Sequence, residues 1–122
     1  MFKNDQVLRV IYLEHNASGT GASENDRAPI ESASFGPLDE GEVVTAANWH
    51  VEVEITGSTQ VDVGDDVDPD GFIAAPALTV GDVAGAGALL NAKNAVAGTV
   101  ELAVTGASTA GRAVIALIGY RV

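Results

Sequence analysis

Trp49-His50-Val51-Glu52-Val53-Glu54-Ile55 alternates apolar and polar side chains, and this period of two decides the fold class. In an extended chain Val51, Val53 and Ile55 share one face while His50, Glu52 and Glu54 share the other, so the stretch reads as a half-exposed β-strand. The same alternation returns at Gln60 to Val63 and at Thr99 to Val104, where Val100, Leu102 and Val104 oppose Thr99, Glu101 and Ala103. Working outward, Val7 to Leu13 is apolar on both faces apart from Arg9 and reads as a strand in the middle of a sheet. Shorter strands are expected at Ile30 to Phe35 and Glu42 to Thr45, the latter ended by a turn at Ala46 to Asn48, and a weaker one at Leu78 to Val80. The segment from Arg112 to Val122 is apolar on both faces: Val114, Ala116, Ile118 and Tyr120 on one, Ile115 and Leu117 on the other. Such a strand is central in a layered fold, or has one face covered by a neighbouring subunit.

Seven or eight short strands separated by Gly, Asp, Asn and Pro turns match the spacing of an all-β sandwich, for which we expect a jelly-roll-like topology; a small closed β-barrel is the alternative. The 122 residues fit one domain. Two stretches interrupt the strand pattern. Glu14 to Pro29 is a polar loop or arm, and Gly81 to Gly98 is rich in Ala and Gly, with room for a short helix around Ala84 to Ala92. Loops of that length in a compact domain are commonly functional, so both are candidate arms toward a partner.

Composition narrows the function classes. The chain has no Cys, which excludes a disulfide framework and thiolate chemistry. Its formal charge is −11, from 17 acids against six Lys plus Arg, so no basic stripe exists to neutralise nucleic-acid phosphates. No window has the ~20 apolar residues that a membrane span needs, and Met1 to Gln6 lacks a signal-peptide core, so a soluble protein made in a cytoplasm is expected.

The string Gly64-Asp65-Asp66-Val67-Asp68-Pro69-Asp70-Gly71 is the most distinctive. Asp66, Asp68, Asp70 and Gly71 reproduce the first half of an EF-hand calcium loop, but Ala77 stands where the bidentate Glu belongs and no flanking helices are predicted. An acidic turn set by Pro69 and Gly71 is the preferred reading, with calcium the weaker one. His15 and His50 have no partner at metal-ligand spacing. Glu52 and Glu54, about 7 Å apart on one strand face, could mimic a glycosidase pair, yet two solvent-facing acids are ordinary in an acidic protein. No nucleophile, base and orienter can be named together, so neither an enzyme nor a cofactor is expected. The scarce cations Arg9, Arg27, Arg112 and Arg121 are candidates for a subunit interface, where Arg is enriched, together with Ile115 and Leu117 of the last strand.

From Phe35 onward the order of elements carries a further signal. A Gly-Pro-Leu turn and a strand lead through Ala46-Ala47-Asn48 into Trp49 to Ile55. Val61-Asp62-Val63-Gly64-Asp65 and Asp68-Pro69-Asp70-Gly71-Phe72 follow, and a Gly-rich turn (Thr105 to Gly111) precedes a last apolar strand with Tyr120. This pattern resembles the small capsid decoration, or cement, proteins of tailed bacteriophages. The resemblance implies a virion structural protein on the outer surface of the capsid, made in the host cytoplasm. It would act as a homotrimer or other homo-oligomer, bound to the major capsid protein and stapling neighbouring capsomers. A head- or tail-fibre module binding host carbohydrate would share the sandwich and the Gly-rich loops. Sugar sites, however, favour exposed aromatics, whereas Trp49, Tyr12 and Tyr120 all fall within expected strands.

Overall fold

The computed structural model describes residues 7–15 and 30–121. Eight strands follow in order: β1 (Val7–Glu14), β2 (Ala33–Leu38), β3 (Glu42–Thr56), β4 (Gln60–Asp65), β5 (Ile73–Ala74), β6 (Gly81–Ala84), β7 (Gly98–Thr105) and β8 (Ala110–Arg121). They form two antiparallel four-stranded sheets, β1-β8-β3-β6 and β2-β7-β4-β5, packed as a sandwich that does not close into a barrel. The antiparallel partners β1 with β8, β2 with β7, β3 with β6 and β4 with β5 nest inside one another. The path is that of one long hairpin wound over itself, and the all-β sandwich is the one expected from the strand spacing.

The core lies between the sheets, where inward residues of both faces interdigitate. Ile11 and Leu13 of β1, Trp49 and Val51 of β3, Val61 and Val63 of β4, Val100 and Leu102 of β7, and Ile115 and Leu117 of β8 all belong to it. Trp49 is fully buried, and its indole Nε1 donates to the Ala77 carbonyl at 2.9 Å, so the one polar atom of the largest core side chain is satisfied.

Several expectations need correction. β3 runs unbroken through Ala46 to Asn48, with a bulge at Thr45 instead of a turn, because β8 offers a long partner along its whole length. Val53 does not join Val51 and Ile55 inside. Val51 opposes Ala113 while Val53 opposes Arg112, and the extra residue of this bulge turns Val53 outward before a second irregularity returns Ile55 to the core. β1 is an edge strand, not a central one; its doubly apolar sequence has one face on the core and the other open. The second strand begins at Ala33 and ends at Leu38, later than its expected span. Leu78 to Val80 forms no strand, and no helix exists among the described residues. Instead Gly81 to Ala84 pairs with β3, while Leu90 and Lys93 make isolated bridges to Val44 and Val43. This part of the Ala/Gly-rich stretch therefore lies against the sandwich.

Candidate functional site

Among the described residues, four large hydrophobic side chains on strands are exposed, and all four lie on the β1-β8-β3-β6 sheet: Tyr12 (53%), Val53 (42%), Tyr120 (38%) and Ile118 (36%). Register places them on one outer face. Tyr12 stands beside Val114, Val10 beside Ala116, and across β8 the row continues to His50, Asn48 and Ala46 of β3. Ion pairs rim this apolar band. At one end the Arg112 guanidinium reaches Glu52 Oε2 at 2.8 Å and Glu14 Oε1 at 3.9 Å; at the other end of β8, Arg121 stands opposite buried Glu42, on the core side of the sheet, and lies 3.6 Å from Asp39 Oδ2. Along β6, His50 Nδ1 meets Asp82 Oδ1 at 2.5 Å. An apolar centre inside a charged rim is the anatomy of a protein-docking face.

The candidate interface residues do not share one surface. Arg112 borders the band, whereas Arg121 lies at the far end of β8 on the core side, and each is already partnered by an acid of its own chain. Arg9 points inward between the sheets, where its guanidinium occupies the space that a side chain at Gly36 would need: a Cβ there would sit 2.8 Å from Arg9 Nη2. Ile115 and Leu117 are fully buried, so they pack this chain's own core, and the alternate residues Val114, Ala116, Ile118 and Tyr120 form the open face. Arg27 lies outside the described residues, as does most of the expected polar arm. Sequence periodicity could not choose between the two apolar faces of β8.

The acidic string forms a turn organised by Asp65, which was not among the candidate calcium ligands. Asp65 Oδ1 accepts from the Val67 and Asp68 amides at 3.0 and 2.6 Å, and Gly64 is required because a Cβ would fall 2.0 Å from the Asp68 carbonyl oxygen. Asp66 turns away to accept from the Thr99 amide at 3.2 Å. Asp68 faces Asp70; their hydrogen bond, then desolvation and the charges of Asp70 and Asp65, raise the Asp68 carboxyl above its ordinary range. Asp66 is therefore held apart from the Asp68–Asp70 pair, and no group of three or more potential metal ligands occurs among the described residues.

Folding brings together a His and a Ser that sequence reasoning missed, because they lie far apart along the chain. His15 Nδ1 is 3.2 Å from Ser108 Oγ, which also accepts from the Ile30 amide at 2.7 Å. With Ser108 only 4% exposed, this is a clamp between the β1 end, Ile30 and the β7–β8 turn, and it offers no accessible nucleophile. A cavity of about 220 Å³ at one end of the sandwich is lined by Leu38, Val44, Phe72 and Leu89 with the carboxylates of Glu42 and Asp65. It falls below the ~300–1,000 Å³ usual for small-molecule sites.

No protein-family model matches the sequence, and no curated protein does. Among solved structures, a chain in the acidic stable capsid structure of Helicobacter pylori bacteriophage KHP30 superposes with a TM-score of 0.66 at 16% identity, covering 94% of this chain and 86% of that one. A chain of the cyanophage Pam1 capsid asymmetric unit gives a TM-score of 0.61 at 20% identity, with 96% and 86% covered. A chain from the capsid of Ralstonia phage GP4 gives 0.61 at 19% identity, with 97% and 85% covered. At these identities the likeness is one of fold.

Proposed function

We propose that the protein is a virion structural protein of a tailed bacteriophage, a decoration protein that binds the outer surface of the major capsid protein shell and stabilises it. One observation carries this reading: the fold matches chains from three phage capsids over nearly their whole lengths. The covered shares on both sides make those chains only about a tenth longer than this one, a size that supports the reading of a small accessory chain.

The apolar outer face of the β1-β8-β3-β6 sheet would supply the binding energy, with Arg112 at its rim and Arg121 at the far end of β8 setting orientation. Homo-oligomers, a trimer or another closed set, would staple neighbouring capsomers by engaging several at once. The acids elsewhere keep the outer surface soluble, and neither nucleic acid nor a membrane is a partner in this reading. The protein would be made in the host cytoplasm and end on the capsid exterior.

Tyr12 and Tyr120 lie within strands as expected, yet both are exposed, and this gives the carbohydrate-binding alternative an aromatic surface. Tyr12 lies beside Val114, however, and six residues of extended β8 separate Val114 from Tyr120, about 20 Å. That is too far for both rings to grip one sugar.

The test is to mix the purified protein with expanded, undecorated capsids of its own phage and follow co-sedimentation. Saturation at a fixed ratio to shell subunits is the expected result. Absence of binding at any ratio overturns the decoration reading.

A further inference from the structure

We propose that β1 is a pairing edge through which two copies of this chain join their sheets about a twofold axis. Among the described residues the two sheets have four edge strands, β1, β6, β2 and β5. Three are poor templates: β5 has two residues, β6 has four, and β2 carries Pro37 and a register shift between Ser34 and Pro37. β1 is different. All eight of its residues pair with β8 without a shift, so its outer side presents a regular row of backbone donors and acceptors.

Charge selects a second copy as the occupant. The protein carries −11, yet β1 has one Arg and one Glu and is neutral. Two copies can therefore approach along β1 without opposing their acids, as they would across most of the surface. The register is also self-complementary. A twofold axis perpendicular to the sheet keeps outward residues outward, and with Ile11 on the axis Tyr12 of each copy stands opposite Val10 of the other. Aromatic against β-branched is a favourable cross-strand pair, and it would occur twice. Arg9 then lies opposite Leu13, and no acid opposes an acid. Its inward charge, which would block many edges, is already accommodated over Gly36.

The joined sheet would extend the apolar face of β1 and β8 across both copies. The pairing goes beyond the capsid reading and does not depend on it, since it concerns the free protein. The test compares the wild type with Val10→Lys/Tyr12→Lys, both outward positions that leave the core untouched, by light scattering over a hundredfold concentration range. The expected result is twice the chain mass for the wild type and a single-chain mass for the variant. A second variant, Val10→Cys/Tyr12→Cys in this cysteine-free chain, should form a covalent dimer on mild oxidation, because facing strand positions lie within disulfide reach. A wild type that stays monomeric, a trimer, a dimer that survives the lysine pair, or a cysteine variant that does not cross-link would each overturn the proposal.

Discussion

The two outer faces of this sandwich differ although one chain builds both with the same strand alternation. On the β2-β7-β4-β5 sheet the outward side chains satisfy one another: Glu101 accepts from Ser34 Oγ and from Thr99 Oγ1, and Asp62 accepts from Gln60 and from the Ala75 amide. Among the described residues, no large exposed hydrophobic group sits on its strands. On the β1-β8-β3-β6 sheet the outward residues of β1 and β8 include Tyr12, Val114, Ala116, Ile118 and Tyr120, with His50 and Asn48 beside them on β3 and ion pairs at the borders. A face that completes its own hydrogen bonds gains little from a partner; one that leaves apolar area in water gains by being covered.

The contrast can be broken at its foundation. Trp49→Ala removes the largest side chain of the layer that both faces share and should cost about 3–5 kcal/mol, read as a lowered midpoint in urea unfolding. The next variants sharpen the contrast without touching the core. Ile118→Asp on the apolar face should weaken capsid co-sedimentation tenfold or more, while Thr99→Asp on the polar face should leave it unchanged; the opposite result would move the docking surface to the other sheet.

Arg112→Glu or Arg121→Glu tests the two ends of β8. Each should weaken capsid occupancy several-fold, whereas the isolated fold should lose no more than about 1 kcal/mol, since these ion pairs are exposed. Unaltered occupancy would remove both arginines from the interface.

The smallest effect belongs to the acidic turn. Because Asp68 has a raised pKa in the folded protein, its ionised form costs stability above that pKa, and the cost disappears as acid protonates it. Asp70→Asn should therefore raise the melting temperature at neutral pH, with the gain shrinking as pH falls into the carboxylate range. An equal gain at every pH would mean that the pair is not strained.

Sequence made the strands legible where alternation is regular and side chains are large, as in Gln60 to Val63 and Thr99 to Val104. It failed where small residues carry the ladder. Gly81-Asp82-Val83-Ala84 has little strand propensity and becomes β6 because β3 supplies a partner. Val53 was misplaced because a bulge leaves no mark on the pattern of apolar residues. At the candidate face the last strand was recognised, but its sides were interchangeable on paper. Ile115 and Leu117 look no different from Val114 and Ile118 until tertiary register with β1 and β3 fixes which row is covered. Arg9 was legible as a scarce cation, while the space over Gly36 that houses it is visible only in three dimensions.

The nested pairing of strands also sets an order in time. The link between β4 and β5 closes the shortest loop, and each inner pair, once made, shortens the loop that the next must close, from β3 with β6 to β2 with β7 and finally β1 with β8. Of the described strands, β1 leaves the ribosome before all the others and pairs with the one made after them. Until β8 is synthesised, β1 lacks the strand it pairs with among the described residues, so at high expression the growing chain is vulnerable to mispairing at β1.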